Sequence, residues 1–164
     1  MSFNDLLIYI YYLCPKKTGH KMKKILLTLT LGLTSLITVA QNDSTAFRGY
    51  LYNSEYDVYL RIDFYNESVV VPGNELYGKL PGYLGKKNNT FSWPITAAKL
   101  ETNRQARLSL INDYGSEDLT AILTWQGDST YMLKQEKGST LKVPKNGKWQ
   151  KLPKTLPFKR VSGR

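Results

Sequence analysis

The residue types that most often perform chemistry are scarce in this chain after position 40. The chain has 164 residues, and its single Cys and single His are Cys14 and His20. Without His and Cys, the rest of the chain has no Ser-His-Asp or Cys-His nucleophile system and lacks the usual ligands of zinc. It also lacks the Gly-rich sequence patterns whose loops cradle phosphate groups. We therefore predict no catalytic residue, no metal ligand and no cofactor.

Paired carboxylates are one chemistry that this composition still permits, since a glycosidase needs only two. Asp57 and Asp63 share a face of one predicted strand, but their separation there is about 20 Å, too far for one sugar bond. Glu117 and Asp118 are adjacent, so a strand would turn them to opposite faces. They end an acidic loop that begins at Asp113 and could offer oxygen ligands to Ca²⁺, but Asp and Gly are equally typical of a hairpin turn. Pairs across strands stay open, and a carboxylate-dependent carbohydrate-active enzyme is one alternative function.

Aromatic residues supply a second candidate site. Apolar residues from Tyr56 to Phe64 alternate with Asp57, Tyr59, Arg61, Asp63 and Tyr65. Rings with a few polar groups are typical of ligand pockets, so Tyr59, Arg61 and Tyr65 form a candidate ligand face. The same pattern also fits the outer face of a barrel, where Tyr and charged residues pair across strands.

The C-terminal end is strongly basic. From Lys134 to Arg164, ten Lys and Arg stand against Glu136 alone, whereas the whole chain after position 40 has 18 Lys and Arg against 12 Asp and Glu. Five of these lysines recur at every third position, namely Lys142, Lys145, Lys148, Lys151 and Lys154. This period matches polyproline II, which would align the five ammonium groups along one edge.

Such an edge would suit a polyanion, for instance an acidic polysaccharide, a phosphorylated glycolipid or nucleic acid. The alternative is that these lysines protect an exposed sheet edge against aggregation. If the edge is a binding site, we expect it to retain a polyanion more strongly than Lys79, Lys86 and Lys87 do.

The elements that must position these residues are strands. Residues alternate with a period of two over 56–65, 106–111 and 119–125, and six shorter segments have strand composition. Pro72-Gly73 and Pro81-Gly82 each suit a type II turn. About nine short strands at hairpin spacing predict an all-β fold, a small antiparallel meander that closes as a β-barrel or folds as a β-sandwich.

The N-terminus has the order of segments found in a signal peptide. Met22-Lys23-Lys24 is a basic start, residues 25–37 are apolar, and Thr38-Val39-Ala40 offers a cleavage site. We therefore predict a signal peptide at 22–40 and a single β domain at 41–164, and we interpret residues 1–21 as an upstream, mis-called start. The apolar run is too short for a membrane span. The protein is thus expected to be exported to the periplasm or the exterior, which disfavours nucleic acid as its partner.

Two resemblances accompany these patterns. The start Met22-Lys23-Lys24, with Gln41 after the cleavage site, resembles the leaders of secreted proteins of the Bacteroidota. The length and up-and-down rhythm of the mature chain resemble the lipocalin and avidin group. Lipocalins carry Gly-x-Trp near the first strand, but this chain has Gly49-Tyr50-Leu51, so no ligand can be carried over.

The function predicted from the sequence is an exported, non-enzymatic binding module. Its expected partner is an anionic glycan, a glycolipid or a protein, with the basic C-terminal edge as the contact surface. An inhibitor or immunity protein that binds an enzyme is a further alternative.

Overall fold

Antiparallel strands build the structure, a computed structural model that describes residues 45–161. The predicted signal peptide, the segment 1–21 and the predicted start of the mature chain at Gln41 lie outside the described residues. Eight strands close into a barrel in the order β1-β12-β9-β8-β7-β6-β5-β2. Their bounds are β1 Arg48–Asn53, β2 Val58–Asp63, β5 Gly82–Lys86, β6 Ser92–Thr102, β7 Gln105–Ile111, β8 Asp118–Gly127, β9 Thr130–Gly138 and β12 Thr155–Arg160.

Two small hairpins complete the fold. One pairs β3 (Val69–Val70) with β4 (Lys79–Leu80), and the other pairs β10 (Lys142–Lys145) with β11 (Lys148–Lys151). The described part of the chain has twelve strands where the sequence predicted about nine, because β4, β5 and β11 were not foreseen. The all-β prediction is confirmed, and of its two forms the barrel is correct. Within residues 45–161, no helix is long and apolar enough to cross a membrane.

Alternation along each strand determines which side chains face the interior. In β2, Val58, Leu60 and Ile62 are buried in the core, while Tyr59 and Arg61 face outward. Large side chains from the other strands, among them Trp93, Leu108 and Phe158, join the same core. An eight-stranded barrel has an interior just wide enough to be filled by side chains, and here a continuous set of buried side chains occupies it.

Leu123 and Trp125 are two residues apart in β8, so the alternation over 119–125 places them on one face of the strand. Leu123 is fully buried in the core, but Trp125 is only half-buried at its margin. The indole Nε1 of Trp125 donates a hydrogen bond to the carbonyl of Asp128 at 3.1 Å. The ring therefore lies near the β8–β9 turn, where a strand end leaves room for contact with solvent.

The β10–β11 hairpin lies over one end of the barrel. Leu141, Val143 and Leu152 are all buried and belong to the main core. The indole Nε1 of Trp93 donates to the carbonyl of Lys142 at 2.9 Å. The buried Gln135 accepts a hydrogen bond from the amide of Leu141 at 2.8 Å. These contacts attach the basic segment to the barrel as a folded element.

One of the two predicted Pro-Gly turns is correct. Gly73 has a φ of 79°, and the amide of Asn74 bonds to the carbonyl of Val71 at 3.0 Å, as a type II turn requires. The turn predicted at Pro81-Gly82 is wrong, because Gly82 is the first residue of β5. A Cβ there would lie 2.3 Å from the carbonyl oxygen of Arg61, so glycine is needed for close strand approach.

Candidate ligand-binding groove on the barrel wall

The outer face of β1, β2 and β5 carries an open groove of about 440 Å³. Arg61 of β2 pairs in register with Tyr50 of β1 on one side and with Tyr83 of β5 on the other. Because cross-strand partners point to the same face of a sheet, these side chains and Tyr59 share the outer wall. The groove is lined by Tyr50, Tyr59, Arg61, Tyr83, Lys86, Lys87, Asn88, Asn89 and Thr90.

Three tyrosines form the floor of this groove. The ring of Tyr59 stacks on Tyr50 with centroids 5.0 Å apart and meets Tyr83 edge-on at 5.8 Å. Burial and a hydrogen bond with Tyr83 raise the pKa of Tyr59 to about 12. Its phenol therefore stays neutral at physiological pH.

Gly85 makes the position of Tyr59 possible. Tyr59 and Gly85 are direct partners in the β2–β5 ladder. A Cβ added to Gly85 would lie 2.5 Å from Cζ and 2.6 Å from the hydroxyl oxygen of Tyr59. The tyrosine ring thus lies across the glycine, on space that any other residue would occupy.

The β3–β4 hairpin supports the floor from the side. Val69 and Val71 form a second, smaller core with Tyr83, and Leu80 and Tyr59 pack against it. Tyr83 is consequently buried, while Tyr59 and Tyr50 keep part of their rings accessible. The hairpin therefore holds the tyrosine floor against the barrel wall.

The rim of the groove is cationic. Arg61 and Lys87 are exposed, and Lys86 is half-buried with its Nζ donating to the carbonyl of Tyr56 at 2.8 Å. None of the residues that line the groove is acidic. A ring floor with a positive rim can hold a flat or apolar ligand surface beside an anionic group.

Tyr65 is not part of this groove, although the sequence grouped it with Tyr59 and Arg61. It follows the end of β2, its hydroxyl accepts a hydrogen bond from the amide of Phe47 at 3.3 Å, and its ring packs against the core. Tyr65 lies beyond the last residue of β2, so the alternation that predicted one face for Tyr59, Arg61 and Tyr65 does not extend to it.

Asp63, the last residue of β2, organises the turn that follows the strand. Its carboxylate accepts hydrogen bonds from the hydroxyl of Ser68 at 2.8 Å, the amide of Asn66 at 3.1 Å and the Nε of Arg48 at 3.1 Å. Burial alone would raise the pKa of Asp63, but these donors outweigh burial and hold the pKa below its usual value. Asp63 is thus an organiser of the β2–β3 turn.

The five regularly spaced lysines do not form a polyproline II edge, and that prediction is wrong. Four of them pair across the β10–β11 hairpin, Lys142 with Lys151 and Lys145 with Lys148. Asn146 and Gly147 have φ values of 51° and 75°, as a two-residue hairpin turn of the primed type requires. Because side chains alternate along a strand, the hairpin divides these lysines between its two faces. Lys154 is exposed on the bend before β12.

Two of these lysines have different surroundings. Lys142 forms an ion pair with Glu117 at 2.7 Å, and its Nζ lies 5.5 Å from the ring of Trp149. Lys145 acts on Asp57, whose pKa is lowered first by a hydrogen bond from the hydroxyl of Tyr52 and further by the charges of Lys86, Lys87 and Lys145. The tip of the hairpin therefore adds positive charge at the basic end of the groove.

The acidic loop at 113–118 is organised by protein groups. The side-chain oxygen of Asn112 accepts a hydrogen bond from the amide of Ser116 at 2.8 Å. Asp113 accepts one from the side chain of Asn74, and Glu117 pairs with Lys142. Over residues 45–161, no group of three or more His, Cys, Asp or Glu has the spacing of a metal site.

Lys86 and Lys87 line the groove, whereas the sequence pattern gave them no role beside the basic C-terminal edge. Lys86 ends β5, a strand that alternation does not predict because Gly82 and Gly85 interrupt its pattern. The sequence signal that indicates β5 is the pair Tyr83 and Leu84, in which a ring on the outer face is followed by an aliphatic side chain in the core.

Comparison with known proteins gives no relationship for this groove. No protein-family model matches the chain, and neither a curated protein nor a solved structure does. The chemistry of the groove is therefore the basis for interpreting it.

Proposed function

We propose that this protein is a non-enzymatic module that binds an anionic glycan, either an acidic polysaccharide or the sugar headgroup of a glycolipid. The observation that carries this proposal is the groove on the wall of β1, β2 and β5. Its tyrosine floor can accept the apolar face of a sugar ring, and its rim of Arg61, Lys86 and Lys87 can neutralise acidic substituents.

The filled interior supports a site on the outer wall. Lipocalins and streptavidin hold a small ligand inside an eight-stranded barrel, and the sequence resembles that group in rhythm. Here Trp93, Tyr131 and Phe158 are fully buried in the core. A ligand on the wall leaves this packing intact.

The hydrogen bonds and ion pairs of the carboxylates favour a binding function over glycoside hydrolysis. Glu101 and Glu136 both bond to Arg107, at 2.6 and 2.8 Å. Asp63 and Glu117 have the partners described above. A glycosidase needs one carboxyl group that can donate a proton and a second beside the same bond, whereas these side chains serve as acceptors for cations.

The predicted export of the protein is consistent with a glycan ligand. The order of segments from Met22 to Ala40 predicts secretion, and the compartment outside the cytoplasm is where polysaccharides and glycolipid headgroups are encountered. A chain that works there and has no Cys after position 40 must keep its fold without disulfides.

Retention on heparin, a sulfated polysaccharide, tests the proposal. The double variant Arg61→Gln/Lys87→Gln removes two exposed cations from the groove, and Lys134→Gln/Lys137→Gln removes two exposed cations from β9. We expect the groove variant to elute at clearly lower salt than the β9 variant. Equal losses would mean that retention reflects net charge alone and would overturn the proposal.

A second variant separates a shaped site from a basic patch. Tyr59→Leu leaves the charge unchanged but removes the stacking surface. We expect it to weaken binding of an acidic oligosaccharide in solution, measured by calorimetry at moderate salt, where exposed charges are screened beyond about 10 Å. An unchanged affinity would remove the tyrosine floor from the site.

An inhibitor or immunity protein is the second candidate, and one observation favours it. The loop between β3 and β4 projects Leu76, which is fully exposed, and Tyr77, which is 41% exposed. Two adjacent exposed apolar side chains on one loop offer a surface that another protein can bury. If this candidate is correct, a partner enzyme captured from periplasmic or culture fractions should be lost with Leu76→Ser and kept with Arg61→Gln.

A further inference from the structure

The groove continues along the wall toward the hairpin end of the barrel. A second depression of about 200 Å³ shares Tyr59, Tyr83, Asn89 and Thr90 with the groove. It extends the surface toward Phe91, which is one of its lining residues. The two depressions are therefore parts of one path along the barrel wall.

Two exposed rings lie where this path ends. Trp149 of β11 contacts Phe91 edge-on with centroids 4.9 Å apart, and Tyr114 contacts the same ring at 6.1 Å. Trp149 is 48% exposed and Tyr114 is 73% exposed. Val143 of β10, and not Trp149, provides the buried side chain of the hairpin.

Positive charge accompanies the path at this end. Lys142 lies 5.5 Å from the ring of Trp149, but Glu117, 2.7 Å from its Nζ, balances its charge. Lys145, at the tip of the hairpin, is within electrostatic range of the same carboxylate as Lys86 and Lys87. The hairpin thus adds an accessible ring to the path and, at its tip, the ammonium group of Lys145.

We propose that the groove and Trp149 are two stations of one extended site, and that its ligand is a linear anionic polysaccharide long enough to span both. This inference rests on the proposed function. One sugar unit stacks on the floor formed by Tyr50 and Tyr59, and a later unit of the same chain stacks on Trp149. The acidic substituents between them lie near Lys86, Lys87 and Lys145. A chain that occupies both stations binds more tightly than one that reaches only the first, because the second contact is intramolecular.

Heparin-derived oligosaccharides of increasing length test the inference with the mature protein. For the wild type, we expect affinity to rise steeply between a tetrasaccharide and a dodecasaccharide. Trp149→Ala should weaken the dodecasaccharide about tenfold and leave the tetrasaccharide nearly unchanged. Leu100→Ala, which truncates an exposed apolar side chain on β6, is the control and should change neither.

Tryptophan fluorescence gives an independent readout. Trp93 is fully buried and Trp125 is half-buried, so Trp149 is the most exposed indole of the three. The dodecasaccharide should alter the emission of the wild type, the tetrasaccharide should alter it little, and Trp149→Ala should abolish the long-chain response.

The outcomes separate this inference from the function on which it rests. Binding that depends on Arg61 and Lys87 but neither rises with length nor responds to Trp149→Ala would overturn the extended site and keep the groove. Equal weakening of both oligosaccharides by Trp149→Ala would also overturn it, since Trp149 would then act on the groove itself. An absence of wild-type binding at every length would overturn both proposals.

Discussion

Gly85→Ala is the substitution that most directly tests the architecture of the groove. The added methyl group would lie 2.5 Å from Cζ of Tyr59, too close for any real contact. Gly85 has no positive φ, so its backbone accepts alanine without strain. The atoms that must move are the outer end of the Tyr59 side chain. We therefore expect the ring to leave the groove floor while the barrel stays folded.

The free-energy change follows from the contacts that Tyr59 would lose. Its two aromatic pairs, with Tyr50 and Tyr83, contribute about 0.5–1.5 kcal/mol each. Its hydrogen bond with Tyr83 contributes about 1 kcal/mol. Alanine offsets about 0.4–1 kcal/mol of this by restricting the unfolded chain. The free energy of unfolding should thus fall by about 1–3 kcal/mol.

Two measurements check this prediction. Denaturant melts should give the expected fall, and isotope-labelled tyrosine resonances should show Tyr59 titrating at lower pH, since its pKa should move from about 12 toward the ordinary value near 10. Gly82→Ala is the contrasting variant, because its Cβ would meet a backbone oxygen at 2.3 Å and cost about 3 kcal/mol or more. Unchanged stability and an unchanged titration of Tyr59 in Gly85→Ala would refute the reasoning.

Three further predictions concern stability. Leu123→Ala should lower the free energy of unfolding by about 2–5 kcal/mol, because Leu123 is fully buried, and Trp125→Ala should cost less; denaturant melts compare the two, and the reverse order would contradict the assignment of Trp125 to the margin of the core. The stabilisation from Asp63, whose pKa is lowered in the folded state, should be present above the unfolded pKa of about 3.9 and be lost as pH falls through the folded value. Asp63→Asn should therefore destabilise the protein at neutral pH and flatten its acid unfolding profile, and parallel profiles would rule out this role. Gly147→Ala should cost about 1–2 kcal/mol at its φ of 75°, measured by thermal unfolding, whereas a polyproline II segment would tolerate it.

The fold class could be predicted because strand alternation is a local property. Val58, Leu60 and Ile62 bury one side of β2, and their spacing of two is visible in the sequence. The phase of that pattern also placed Tyr59 and Arg61 together on the opposite face. Hairpin turns such as Asn146-Gly147 are equally local, since the backbone conformation depends on two residues. The three-residue period of the lysines by itself gives no sign of this turn, so the period alone predicted polyproline II.

The strand β5 could not be predicted in the same way. Gly82 and Gly85 weaken its pattern, and both glycines serve contacts with β2 that are distant in sequence. In the sequence these two glycines are typical of turns. In the structure they are needed because the backbone of β5 and the residues of β2 lie very close together at these positions. Without β5, neither Tyr83 nor Lys86 could be assigned to the groove.

Nine of the twelve described strands, their inward faces, the lack of Cys and His after position 40 and the excess of lysine near the C-terminus are all visible in the sequence. The closure of the barrel, the separation of Tyr65 from the face of Tyr59 and the division of the lysines across a hairpin follow only from the three-dimensional structure. The physical reason is the separation along the chain of the residues that interact. Alternation and turn preference act between near neighbours, whereas the groove exists because β1, β2 and β5 pair through a ladder that joins residues far apart in the chain.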